Sequence, residues 1–348
     1  MRRTKLPESK PKSRVEAATM GLAPLIHIGV HKTATSWFQA DFYPRVRNAR
    51  YINRVAVRQV LLGGNGYRFD AAAARETLGF DEGDRAILCD EDLSGVLHNG
   101  GVATTFLAAA IADRLHAASP DAEIVIFVRE QVAMAAACYH QYVREGGTAS
   151  ARRYLFPENY RHLTKMRPFK TPRFDFAQFD YRGLIERYDA LFGRDRVHVF
   201  AYEEFARDRP GFLDKFTRRL SLDIDLDSLL QRRVNASYRS GTLALARFFN
   251  LFTERSVADK RMIVHIPYWY PARKAVLRQL DRLPLGGRPD AERLIGNDTT
   301  AFIRGEFAPM NRWLAERTQT DLVALGYAFD SPSVLRPTRA AWLRALRN

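Results

Sequence analysis

The sequence predicts an α/β fold: a P-loop-like, three-layer arrangement with a mostly parallel central sheet flanked by helices and a helical C-terminal part. Three observations predict it. Short apolar runs, "PLIHIGV" (24–30), "RAILCDE" (85–91), "EIVIFVR" (123–129) and "RVHVFAY" (196–202), read as buried strands. Helical patterns at about 33–43, 103–117, 131–145 and 181–192 separate them, which implies right-handed crossovers and parallel pairing. From about residue 205 the chain reads mainly helical, in "PGFLDKFTRRL", "GTLALARFFNLF" and "FAPMNRWLAERTQTDLVALGY".

With 348 residues, 46% of them hydrophobic, the chain can bury a sizeable core. No repeat and no Pro/Gly/Ser-rich linker interrupts 22–330. The expected organisation is therefore a basic disordered tail (1–22), one α/β domain (23–330) with insertions at about 144–176 and 255–295, and a basic C-terminal tail or helix (331–348). The basic N-terminus has no apolar run behind it, and the longest apolar segment, around "VATTFLAAAIA", is too short to span a bilayer. A cytoplasmic protein is expected, with peripheral contact at the inner face of the membrane as one option. Cys89 and Cys138 sit in apolar surroundings without metal-ligand spacing, as buried reduced thiols do.

The net charge of +15 is concentrated in three places. Residues 1–14 hold six basic residues against one acid, 335–348 hold four against none, and 144–173 hold eight against two. The rest of the body is nearly balanced, so attraction to polyanions would come mainly from the tails, and nucleic acid is not the expected partner.

In parallel sheets ligands bind beyond the carboxyl ends of the strands, which directs attention to "HKTATS", "EDLSG", "REQ" and "YEEF". The first of these follows a strand and opens a helix. Gly29 permits close backbone approach, the amides of Lys32 to Ser36 can point at an anion, Lys32 adds a mobile cation, and Thr33, Thr35 and Ser36 add hydroxyls. The ATP/GTP loop G-x-x-x-x-G-K-S/T is not met, because Ala34 stands where a second glycine would be and no lysine follows it. A phosphorylated ligand other than a magnesium-bound triphosphate is expected. The competing reading is a plain helix start capped by Thr33.

"HIGVHKTATSW" resembles the 5′-phosphosulfate-binding loop of sulfotransferases, enzymes that use 3′-phosphoadenosine 5′-phosphosulfate (PAPS). In that family the loop reads Pro/His-Lys-Ser/Thr-Gly-Thr-Thr/Ser; Lys32, Thr33, Thr35 and Ser36 match, and Ala34 departs. "IVIFVREQVAMAAACYHQYVREG" is similar to the 3′-phosphate-binding strand and helix of bacterial carbohydrate-type members, with Arg129 matching the arginine and Ala137 standing where the family has a serine. "ILCDEDLSG" resembles the segment that carries an acid facing the acceptor, and "VHVFAYEEFARDRPGFLDKFTRRLSLD" the later strand and helix near the adenine. The resemblance covers about 24–330 in outline, and only the first two motifs are specific.

The resemblance implies PAPS as sulfuryl donor, no metal, and donor binding by His31, Lys32, Thr33, Ala34, Thr35, Ser36, Trp37, Arg129, Ala137 and Tyr202. Transfer would be in-line to a hydroxyl, less often an amine, with Lys32 stabilising charge on the leaving phosphate. A general base helps a hydroxyl acceptor, and Glu91 is the candidate; Asp90 and Asp92 are rivals, His98 and His140 weaker ones. The acceptor would be a carbohydrate, glycolipid or other small molecule. In "REGGTASARRYLFPENYRHLTKMRPFKTPRF", Tyr154, Phe156, Tyr160 and Phe169 could stack on sugars among cations, or the stretch is simply a surface loop. "RMIVHIPYWYPARKAVLRQLDRLPLGG" places Trp269 and Tyr270 beside a basic stretch, readable as a membrane-surface element, an acceptor lid or an ordinary helix. A P-loop-type kinase or related nucleotide-binding enzyme and a non-catalytic polyanion-binding protein are the alternatives.

Overall fold

The structure, a computed structural model, describes residues 22–330 apart from 64, 82, 99–102, 156–172, 230–237, 255–259 and 285. Its sheet has the strands β1 (Leu25–Gly29), β2 (Arg50–Tyr51), β3 (Ala86–Cys89), β4 (Glu123–Val128) and β5 (Val197–Ala201) in the order β2-β3-β1-β4-β5, with every neighbouring pair parallel. Four of these are the strands read from apolar runs, each trimmed at a polar end. The fifth, β2, has two half-buried residues and no apolar run to announce it. It holds its place by register, Arg50 opposite Ala86 and Tyr51 opposite Ile87.

The helices, in chain order, are α1 (Thr35–Trp37), α2 (Arg54–Leu61), α3 (Ala71–Thr77), α4 (Ala103–Ala118), α5 (Gln131–Arg144), α6 (Ala151–Leu155), α7 (Tyr181–Phe192), α8 (Tyr202–Arg207), α9 (Arg209–Arg219), α10 (Ser240–Phe249), α11 (Trp269–Leu280), α12 (Ala291–Ile295) and α13 (Asn297–Thr318). Short polar side chains start several of them. Asn53 caps α2, Glu130 accepts from the amides of Val132 and Ala133 on α5, and Asp180 and Asp208 cap α7 and α9.

Alternation along the strands divides the interior into two layers. Ile26, Ile28, Leu88, Ile124, Ile126 and Val128 face a core shared with α4, α5, α7 and α13. Leu25, Ile87, Cys89, Val125, Phe127 and Phe200 face an aromatic core built from Trp37, Phe38, Phe42, Phe205, Phe212 and Phe216. The central strands are buried on both faces, which is why they read as continuous apolar runs. Cys89 and Cys138 are buried free thiols.

The C-terminal helices are fastened to α5. At its start, Gln131 donates to Asn311 of α13 at 2.6 Å. At its end, Asn250 donates to the carbonyls of Val143 (2.9 Å) and Gly147 (2.6 Å), while fully buried Arg273 of α11 donates to Asn250 (2.7 Å) and to the Arg144 carbonyl (2.8 Å). A cation at a helix C-terminus offsets the exposed carbonyls there. Both tails, and residues 156–172 of the first insertion, lie outside the described residues, so the readings placed on Phe156, Tyr160 and Phe169 do too. The second insertion supplies α11 and α12. No helix among the described residues is long and apolar enough to cross a membrane.

Candidate active site

The loop between β1 and α1 ends a strand at the centre of the sheet, beside β3 on one side and β4 on the other. Helix begins later than the expected 33–43 span: Lys32 and Ala34 have φ of 63° and 67°, in the left-handed region, so the first helical residue is Thr35. It then passes through a π-type turn at Phe38–Phe42 and a 3-10 turn at Tyr43–Arg45. Ala34, not Thr33, is the cap residue, and no side chain caps the helix. The plain-cap reading of Thr33 is therefore corrected. Its hydroxyl donates to the Val30 carbonyl at 2.6 Å, and the Thr35 hydroxyl reaches the same oxygen at 3.4 Å. These bonds tie the loop back on itself. The amides of Lys32, Thr33, Thr35 and Ser36 make no hydrogen bond among the described residues, and Ser36 is exposed.

Arg129, at the carboxyl end of β4, joins this loop. Its Nη1 donates to the Lys32 carbonyl at 2.7 Å, and its guanidinium lies 4.6 Å from the Tyr202 ring centroid at the start of α8. The Tyr181 hydroxyl donates to the Arg129 carbonyl at 2.8 Å, holding the strand end from behind. The buried Nε of Arg129 has no hydrogen-bond partner among the described residues. An orphaned donor on a cation held by a ring and a carbonyl fits an anion. Trp37 instead packs into the aromatic core against Phe38, Phe42 and Phe205, with its indole nitrogen buried and unbonded among the described residues.

Lys32 reaches over α5, where Nζ donates to Gln141 at 3.2 Å; the Gln141 amide donates in turn to Glu145 at 2.5 Å. Burial pushes the Lys32 ammonium below its ordinary value, and Arg144 and Arg129 nearby add to the effect. Burial likewise raises the Glu145 carboxyl, more than the Gln141 bond and Lys32 lower it. Ala137 is half-exposed on the same helix face, one turn before Gln141, and offers that face no hydrogen-bonding group. Cys138 is fully buried instead, its thiol pushed up to about 12 by burial.

Glu91 sits on a 3-10 turn (Glu91–Ser94) just past β3, rather than on the strand itself. It packs against the end of β1: a Cβ added to Gly29 would lie 3.2 Å from the Glu91 Cα, and Gly29 has φ of 100°. Glycine is thus needed for a close approach, but the approaching backbone is that of Glu91. The two carboxylate oxygens accept from Gln39 (3.0 Å) and Arg54 (3.1 Å).

The rival acids have other engagements. Asp90 is fully buried, caps the turn through the Asp92 amide and accepts from Arg54 and from Arg58 at 2.6 Å. Burial alone would raise its carboxyl, yet the Arg58 bond, the Asp92 amide and the two guanidinium charges hold it below the usual range. Asp92 pairs with Arg58 and lies 3.7 Å from His31 Nε2; burial raises its carboxyl. His31 donates through the same nitrogen to the Gly95 carbonyl at 2.6 Å.

Ser36, Gln39, Ala40, Tyr51, Asn53 and Arg54 line an open cleft of about 230 Å³. One wall is the loop's own serine and the other holds both partners of Glu91. A separate cavity of about 40 Å³ beside Lys215, Arg219 and Arg317 has room for little beyond water.

Tyr154 is not available for stacking on a sugar. It is buried, 4.5 Å from the Tyr142 ring, with its hydroxyl 3.1 Å from His98. His98 and His140 are likewise enclosed, their imidazoles pushed down to about 3 and about 4, chiefly by burial. Tyr270 is buried and donates to the Arg144 carbonyl, and half-buried Trp269 donates to the Phe249 carbonyl at 3.0 Å. Gln39, Arg54, Arg58 and Gln141 were not singled out from the sequence. Arg54 and Arg58 do carry a signal, an i, i+4 pair on one face of a capped helix, but only the fold shows that this face meets Asp90 and Asp92.

Fold and site define an α/β protein with a left-handed strand-to-helix loop at the centre of a parallel sheet, flanked by an arginine at the end of one neighbouring strand and a carboxylate past the other. No family model matches the chain, and no curated protein matches it. Among solved structures, a sulfotransferase from Alicyclobacillus acidocaldarius is similar at 20% identity and a TM-score of 0.42, over 62% of this chain and 87% of that one. Mouse sulfotransferase SULT7A1, in a structure complexed with PAP, is similar at 14% identity and a TM-score of 0.39, over 87% of each chain.

Proposed function

We propose that the protein is a sulfotransferase that moves a sulfuryl group from PAPS to a hydroxyl of a carbohydrate, glycolipid or other small acceptor. The observation that carries the reading is the Arg129 guanidinium, bonded to the Lys32 carbonyl and lying over the Tyr202 ring while its Nε is left without a partner among the described residues. Lys32 and Arg129 thereby stand past the carboxyl ends of adjacent strands, where a ligand with two separate phosphate groups would meet both.

In this reading Lys32, the free loop amides and Ser36 receive the 5′-phosphosulfate, and Arg129 receives the 3′-phosphate. The bound donor supplies an activated sulfuryl group. Lys32 would leave Gln141 to stabilise charge on the departing phosphate, and its depressed ammonium would be restored by that anion. Glu91 would take the proton of an acceptor hydroxyl lodged in the cleft beside Ser36, with Gln39 and Arg54 fixing the carboxylate's orientation. Ala137 leaves the 3′-phosphate with one donor fewer than the resemblance implies.

Calorimetric titration with 3′-phosphoadenosine 5′-phosphate tests this directly. Saturable binding in the micromolar range, lost in Lys32→Ala, is the expected result; no heat at high micromolar ligand would remove the sulfotransferase reading. A kinase is the second reading, and magnesium-dependent ATP binding in the same titration would favour it, although the sequence lacks the Gly-Lys-Ser/Thr run.

A further inference from the structure

The segment joining the 3-10 turn at Asn250–Phe252 to α11 breaks the ordinary rule for apolar side chains. Residues 261–268, "RMIVHIPY", are exposed without interruption. Met262 is 45% exposed, Ile263 70%, Val264 49%, Ile266 44% and Tyr268 89%, and Phe248 on the adjoining α10 is 54% exposed. Single exposed apolar residues are normal; a run of this kind marks a surface that meets something apolar.

Slackness does not explain the exposure, because the backbone is fastened at several points. The Ile263 amide donates to the Leu251 carbonyl (2.8 Å), that of Ile266 to Phe252 (3.1 Å), that of Arg261 to the Thr148 hydroxyl (3.0 Å), and Lys260 bonds the Thr253 carbonyl. The side chains are thus held outward on a fixed ridge. From Lys260 through α11 the charge of the chain is strongly one-sided. Residues 260–282 contain six basic residues (Lys260, Arg261, Arg273, Lys274, Arg278 and Arg282) and one acid, Asp281; Arg261, Lys274, Arg278 and Arg282 are exposed.

We propose that this ridge is a membrane-contact surface that inserts Met262, Ile263, Val264 and Ile266 among lipid chains of an anionic bilayer, with the neighbouring lysine and arginines on the headgroups. Exposed apolar side chains followed in the chain by exposed cations are complementary to an anionic interface, which offers hydrocarbon and negative charge at adjacent depths. A second copy of the chain is the weaker occupant, since two such faces would bring like charges together. Tyr268 and Trp269 stand at the rim, where amphipathic rings settle at headgroup level. The contact is in-plane and independent of the reaction proposed above. Its position matters for that reaction all the same: Tyr270 and Arg273, which follow the ridge, bond the Arg144 carbonyl at the end of the helix that carries Gln141. A bound membrane would lie toward that end of the site.

The test is co-sedimentation of the full chain with vesicles of phosphatidylcholine alone and of phosphatidylcholine with phosphatidylglycerol in equal parts. Binding is expected with the anionic vesicles only. The double variant Ile263→Asp/Ile266→Asp should weaken it about tenfold or more, and Lys274→Gln/Arg278→Gln should weaken it less and reduce its salt dependence. Val323→Asp, at an apolar residue exposed elsewhere, is the control and should bind as wild type. Unchanged binding in the isoleucine double variant would assign vesicle affinity to the basic tails and overturn the proposal. So would a dimer in light scattering that this variant converts to monomer, which would make the ridge a protein interface.

Discussion

Arg129 Nη1 and the Lys32 carbonyl oxygen lie 2.7 Å apart, a bond between residues separated by 97 positions. It locks the left-handed turn of the loop to the adjacent strand, so the arginine serves the loop's shape as well as any ligand. Arg129→Ala should therefore lower affinity for 3′-phosphoadenosine 5′-phosphate by about 10- to 100-fold, the range for losing a charge-assisted bond. Arg129→Lys keeps a positive charge but cannot both bond the carbonyl and present a second donor in one plane, so its affinity should fall between the two. Calorimetry on the three proteins orders them; a lysine variant as weak as alanine would mean that the fork, not the charge, is what matters.

Glu91 is expected to act on turnover and not on donor binding. Glu91→Gln preserves size and retains an oxygen for Arg54, so the turn and the cleft should keep their form. Turnover should fall about 100-fold or more if the carboxylate takes a proton in the transition state. Affinity for the donor product should change little. Rates equal to wild type would transfer attention to Asp92, whose carboxyl is raised by burial and stands near His31.

Much of the frame was legible in the sequence because buried parallel strands cannot be polar on either face. Lys32 and Arg129 were legible because each ends such a run. Less was legible where a residue's role depends on a partner far along the chain. Asp90, Glu91 and Asp92 are consecutive and chemically alike, and only the position of α2, with Arg54 and Arg58 one turn apart, separates the clamped Asp90 from Glu91, whose partners Gln39 and Arg54 line the cleft. Tyr154 looked like a loop aromatic because its neighbours in sequence are arginines. Its neighbours in space are Tyr139, Tyr142 and His98.

The loop's departure at Ala34 gives a prediction about stability. With φ of 67° this residue pays the steric cost of a left-handed Cβ, roughly 1–2 kcal/mol. Glycine removes that cost and loses about 0.5–1 kcal/mol through the greater freedom of the unfolded chain. Ala34→Gly should be neutral or stabilising by up to about 1.5 kcal/mol, whereas the same change within a helix would destabilise. Ala34→Val, β-branched at positive φ, should be clearly destabilised. Urea midpoints of the two variants decide: a destabilised glycine variant would show that the loop does not hold this turn in solution.

Buried histidines make the fold sensitive to acid. Burial pushes the imidazoles of His27 and His98 down to about 3 and those of His140 and His198 to about 4, against an ordinary value of 6.5. On unfolding each regains its ordinary affinity for a proton, so between about pH 6.5 and 4 the unfolded chain binds more protons than the folded one. Stability contributed by these groups is full above that window and is lost as pH falls, at most about 1.4 kcal/mol per pH unit for each. The raised carboxyls of Asp92, Glu130, Glu145 and Glu203 work in the opposite sense, since the folded state binds their protons more readily, and they offset part of the histidine effect. The melting temperature should therefore drop between pH 7 and pH 5. His27 is the residue with which to test the cause: it is fully buried, 3.0 Å from the Tyr43 hydroxyl and stacked on Phe127, away from the loop's ligand face. His27→Gln should be less stable at pH 7 yet lose less on acidification, because one proton-binding group has been removed from the unfolded chain. A pH slope in His27→Gln as steep as that of wild type would exclude His27 from the acid response.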